Sequence, residues 1–125
     1  MKSKRTYAAQ ITFLKCKPDG KFEVLEKTEE SLLELCGNMD YQTVIENGTI
    51  VDVIYSKRGR KLNTIFGFDE DYERLFDNFY IVKSNENDDV ISLNCDEINQ
   101  WINRISVGRN YLKYCQDCFE KGYRL

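Results

Sequence analysis

Residues 93–105 carry the most regular apolar pattern in the chain. Ile98, Trp101, Ile102 and Ile105 fall at i, i+3, i+4 and i+7, which is one face of a helix. Asn94, with Glu97 three places on, has the spacing of a capping box, and Leu93 ahead of the cap pairs with Ile98 as a hydrophobic staple. The single tryptophan therefore reads as a core anchor. Residues 109–121 place Tyr111, Leu112, Cys115, Cys118 and Phe119 on one side, with Gly122 as a stop. Either Gly108 breaks the helix, or it is tolerated at roughly 1 kcal/mol against alanine. The second case gives one helix of about 28 residues, long enough to pack on a second subunit as well as on its own sheet, so a homo-oligomer is expected.

The N-terminal part alternates instead. Tyr7, Ala9, Ile11 and Phe13 share one face of a strand, Lys17-Pro18-Asp19-Gly20 makes a turn, and residues 22–25 return. Thr28 caps a short helix over 29–36, with Glu29 and Glu30 suiting its dipole, Leu32, Leu33, Leu35 and Cys36 as its buried side, and Gly37 as its C′ residue. A second hairpin runs over 41–46 and 49–55 around a type I′ turn at Asn47-Gly48. Residues 56–61 form a turn into a fourth strand, 62–66. Asp69 is expected to cap a helix through Asn78 that turns Tyr72, Leu75, Phe76 and Phe79 inward. A short strand at 80–83, a polar loop at 85–89 and a returning segment at 90–93 complete the pattern. The fold class is thus α+β: an antiparallel sheet of two or three hairpins packed against C-terminal helices. It forms a single domain over 1–125, with a β-rich half at about 6–92 and a helical half at about 94–121.

Composition narrows the class. Hydrophobic residues at 42%, with 13% aromatics, are those of a folded chain rather than a disordered one. No apolar run reaches the length of a membrane span, and no signal-peptide core follows the basic start, so a cytoplasmic protein is expected, in the host cytoplasm if the chain is viral. Five scattered cysteines read as reduced thiols. Cys115 and Cys118 have metal-ligand spacing, but a zinc site would need Cys16, Cys36 and Cys95 to converge on them. The plainer reading is two small apolar groups on a helix.

Histidine is absent, which removes the commonest general base, the Ser-His and Cys-His pairs, and the commonest transition-metal ligand. No phosphate-binding glycine loop, nucleophile elbow or calcium loop is present. The expectation is a protein that is not an enzyme and uses no cofactor. Asp52 lies mid-strand on the same face as Ile50 and Ile54. It sits either at a solvated sheet edge or in a buried site with a partner. As a metal-assisted nuclease residue it would be the carboxylate of a third reading.

Lys57, Arg58, Arg60 and Lys61 around Gly59 form the densest basic cluster, and without them the formal charge of −3 would be −7. Four cations on a short turn, with a glycine that admits a ligand to the backbone, can hold a phosphate; they can equally be a solvated loop. Arg104 and Arg109 near the helix junction would complete a bidentate anion site if that junction meets the turn, or else are polar-face residues of the helix. Tyrosine and phenylalanine nearby would stack on a base.

In its organisation, a β-rich half with the basic turn at 56–61 and a helical half with Arg104 and Arg109, the chain resembles phage anti-defence proteins that sequester nucleotide immune signals, the anti-Thoeris sponge type. The resemblance implies an oligomer that buries its ligand between subunits without cleaving it. The expected function is a non-enzymatic binder of a phosphorylated small molecule, a nucleotide or cyclic nucleotide signal. The alternative is a nucleic-acid- or protein-binding anti-defence inhibitor, such as an anti-CRISPR or anti-restriction protein. Nucleic acid therefore stays open as a partner, and no membrane is expected.

Overall fold

The structure, a computed structural model, describes residues 9–68 and 71–120, with the side chains at 71, 108 and 110–120 outside that description. The elements run β1 (Ile11–Cys16), β2 (Phe22–Lys27), α1 (Glu29–Cys36), β3 (Asp40–Glu46), β4 (Thr49–Ser56), β5 (Leu62–Phe68), β6 (Asp71–Ser84), β7 (Val90–Ile91) and α2 (Cys95–Glu120). All seven strands join one sheet in the order β2-β1-β6-β4-β3, with β5 and β7 also on β6, and every pairing is antiparallel.

The segment expected to be a helix over 69–78 is instead the first half of β6, a strand of 14 residues. Tyr72, Leu75, Phe76 and Phe79 have helical spacing, but the stretch through Val82 is rich in aromatic and β-branched residues, which fit a pleated sheet. Tyr72 points to solvent at 79% exposure, while Leu75 and Phe79 are buried. Phe76 is opposite both Ser56 and Leu62, so β4 and β5 lie on opposite edges of β6. Ser84 is likewise opposite both Ile50 and Val90, which puts β7 on the edge away from β4.

Alternation gives the sheet two apolar faces. On one, Leu14, Val51, Val53, Phe79 and Ile81 pack with Phe66, Phe68, Trp101 and Ile105 under α2. On the other, Ile11, Phe13, Tyr80 and Val82 surround Leu32 of α1. Leu32 is the buried residue of α1; Leu33 and Leu35 are 60% and 38% exposed, because an eight-residue helix covers only part of its face of the sheet. Gly37 ends α1 with φ −55°, in the ordinary helical region rather than the left-handed conformation expected of a C′ glycine. Asn47 and Gly48 do take positive φ, 53° and 77°, as a type I′ turn requires.

α2 begins as its sequence predicts. The Glu97 backbone N–H donates to Asn94 Oδ1 and the Asn94 backbone N–H donates to Glu97 Oε1, both at 2.9 Å. The other Glu97 oxygen lies 2.7 Å from Lys83 Nζ and accepts from Thr49 Oγ1, so the cap also fastens the helix to β6 and β4. The helix continues through Gly108 to Glu120. Tyr7, the cap at Asp69, the stop at Gly122 and the side chains of Tyr111, Leu112, Cys115, Cys118 and Phe119 lie outside the described residues.

Two predictions follow from the α2 anchor. Trp101, 4% exposed and stacked on Phe66, should cost about 3–5 kcal/mol on truncation to alanine, read by chemical denaturation. For Glu97, burial opposes ionisation, but the bonds from Lys83, Asn94 and Thr49 outweigh it and hold the carboxyl below its ordinary 4.5. Stabilisation by a depressed carboxylate is complete above that ordinary value and disappears as pH falls through the lower native one. Denaturation series from about pH 7 to about pH 3 should show the wild type losing its advantage over Glu97→Gln at the acid end, an advantage of about 1–2 kcal/mol at neutrality.

Candidate functional site

The basic turn between β4 and β5 is held by β6. Asp77 sits at φ 58°, its backbone N–H donates to the Lys61 carbonyl at 2.8 Å, and the Lys61 N–H donates to Asp77 Oδ1 at 3.2 Å. Gly59 is required for a different close approach from the one expected. A methyl group there would stand 2.7 Å from Phe76 Cβ and closer still to the Asp77 carboxylate. The glycine thus lets the turn lie close against β6. Lys57, Arg58, Arg60 and Lys61 are all exposed, and among the described residues only Lys57 has a salt-bridge partner, Glu73 at 3.9 Å. The first hairpin turn comes close by. The Lys21 N–H holds the Asp19 carboxyl below its ordinary range, and Lys17, Lys21 and Lys61 add to that through their charge.

Beside the turn is a groove of about 540 Å³ lined by Lys57, Ile65, Tyr72, Glu73, Arg74 and Phe76. Ile65 faces Arg74 and Gly67 faces Tyr72 across the β5–β6 pair. A side chain at Gly67 would meet the Tyr72 ring at 2.9 Å, so the glycine makes room for that ring to lie flat across the hairpin. An exposed aromatic ring next to two cations is the arrangement that takes a planar, anionic ligand. Tyr72 and Arg74 were missed in the sequence because the segment read as a helix. Read as a strand, the alternation Tyr72-Arg74-Phe76 would have put all three on one face.

The two arginines of α2 are committed inside the molecule. Arg104 lies 2.7 Å from Glu46 Oε2 and its guanidinium covers the rings of Phe66 and Trp101 at 4.6 and 4.8 Å, tying α2 to β3 and β5. Arg109 does reach the start of β5, but it faces inward. Its NH2 donates to the Lys17 carbonyl at 2.6 Å and to Asn63 Oδ1, and the guanidinium stacks over Phe22 at 5.0 Å. Its Nε and NH1 are buried with no partner among the described residues. Burial is the main influence on this guanidinium and lowers its pKa, against the opposing charge of Asp19. Asn63, itself buried, completes the knot by donating to the carbonyls of Cys16 and Asp77.

Asp52 is not at an edge, since β4 lies between β3 and β6. Its oxygens accept from Thr43 Oγ1 at 2.8 Å and from Ser84 Oγ at 3.3 Å, so it has partners, but it is half-buried rather than buried. Cys16 is buried and Cys36 half-buried; burial raises both thiols, Cys36 to about 11, which keeps them protonated. Among the described residues no three Cys, Asp or Glu side chains gather as a cation site.

The clamp is testable. Gly59→Ala should destabilise the fold by about 1–3 kcal/mol, because the added methyl must displace Asp77 from its bonds to the turn; thermal and urea unfolding measure the loss.

Compared with models of known families, with curated proteins and with solved structures, the chain matches none.

Proposed function

We propose that the protein is a non-catalytic binder of a phosphorylated small molecule of nucleotide type, held at the basic turn and the adjoining groove. One observation carries the reading. Four cations stand on a turn whose backbone is held by Asp77 and Gly59, and one of them, Lys57, shares a groove with Arg74 and the uncovered ring of Tyr72. A turn backbone already held in place need not be ordered when an anion arrives, so more of each charge-assisted bond remains as affinity. Lys57, Arg58, Arg60, Lys61 and Arg74 bind phosphate oxygens, and Tyr72 stacks on the base. Arg104 and Arg109 contribute by holding α2 against the sheet that carries the site. The ligand is shared between subunits if the protein assembles as expected from its long C-terminal helix.

Native mass spectrometry of protein purified from cells should reveal a retained mass of nucleotide size together with the subunit number. Calorimetric titration with mono-, di- and cyclic nucleotides should then give saturable binding that Arg60→Ala and Arg74→Ala each weaken by roughly tenfold, the worth of one charge-assisted bond. A small nucleotide should lose affinity only modestly with added salt. A steep log–log salt slope for oligonucleotides, without any nucleotide binding, would replace this reading by nucleic-acid binding. Wild-type affinity in both variants would remove the groove from the site.

A further inference from the structure

A second cavity opens beside α1, with the opposite chemistry. It is a cleft of about 510 Å³ between α1 and the β3–β4 part of the sheet, where the short helix leaves the face uncovered. Leu32, Met39, Ile54 and Val82 give it apolar walls, and Tyr41, 67% exposed, stands at its mouth. This size and this wall chemistry are those of a small-molecule site.

Its polar floor is one constellation: Asp52 with Thr43 on β3 and Ser84 on β6. Asp52 is half-buried and Thr43 exposed, so the carboxylate is open to the cleft beside Ile50, Ile54 and Val82. Thr43 spends its hydroxyl proton on Asp52 Oδ1, and Ser84 spends its own on Oδ2. Neither hydroxyl has a proton left to offer a ligand. What remains on the floor is acceptor capacity only: the free lone pairs of two carboxylate oxygens and of two hydroxyl oxygens. Among the described residues, the charged side chains around the cleft are Asp52 and Asp88, both acidic, and no Lys or Arg lines it. A phosphate or carboxylate is therefore disfavoured, and a neutral acceptor finds no donor on the floor, only the Tyr41 phenol at the mouth and the weak Cys36 thiol. A primary ammonium matches on both counts, since it carries a positive charge and three N–H donors and no acceptor.

We propose that this cleft binds a small primary-amine cation with an apolar body, the ammonium on Asp52, Thr43 and Ser84 and the body against Leu32, Ile54 and Val82. The site is independent of the basic groove and would stand if that groove proved empty.

Hexylammonium, hexanol and hexanoate are matched probes of charge on one body. Titrated into uniformly ¹⁵N-labelled wild-type protein, hexylammonium should shift the amide signals of Met39, Thr43, Asp52 and Ser84 saturably. Hexanol should bind at least about tenfold more weakly, and hexanoate should leave those signals in place. Asp52→Asn, with folding verified by its spectrum, should weaken hexylammonium by about tenfold or more. Equal binding of hexanol and hexylammonium to the wild type would overturn the proposal, and so would the absence of saturable binding. The wild-type comparison decides the matter even if the Asp52 variant does not fold.

Discussion

The demand that a central strand satisfy its backbone on both edges organises this molecule. β6 is buried on both faces around Leu75, Phe79, Tyr80, Ile81 and Val82, so its N–H and C=O groups depend on neighbouring strands rather than water. One edge takes β4 along most of its length, and the other is shared in turn by β5, β1 and β7. Sharing an edge among three strands leaves seams. Asn63 closes the seam between β5 and β1 by bonding to the carbonyls of Cys16 and Asp77. Asp77, in a left-handed conformation, lets β6 pass from one partner to the next. The same residue clamps the basic turn, so the geometry of the candidate anion site is a by-product of how β6 is paired.

Charge divides into groups that build the fold and groups that face outward. Glu97, Lys83, Arg104, Glu46 and Arg109 join α2 to the sheet from its first turn to its middle. Such partly buried pairs owe their value to geometry and to the hydrogen bonds around them rather than to charge alone. Lys57, Arg58, Arg60 and Lys61 serve no such purpose, and β4 runs from the acidic cleft at Asp52 to this basic turn in a few residues. One strand thereby joins two sites of opposite sign, one suited to an anion with a planar group and the other to a cation with an apolar body. Their separation keeps each from neutralising the other.

The sequence by itself determined the elements whose signals lie within a few residues of one another. The Asn94–Glu97 box, the Pro-Asp-Gly and Asn-Gly turns, the Thr28 cap and the alternation of β4 all specify local hydrogen bonds or a local choice of face, and each formed as written, whereas β1 keeps Ile11 and Phe13 on one face but begins at Ile11, leaving Ala9 ahead of it. The apolar face of α2 was legible for the same reason, because a helix sets its own periodicity. The tertiary structure decided everything that depends on a distant partner. Residues 71–78 carry helical apolar spacing, and the pairing with β4 and β5 overrides it in favour of the strand. That choice exposes Tyr72 and Arg74, turns Arg109 onto Asn63, and places Asp52 between two hydroxyls contributed by strands nine and thirty-two residues away. A carboxylate or a guanidinium is read in sequence only as a charge. What it does is fixed by which donors and acceptors folding brings to it, and those come from strand order, which no local pattern encodes.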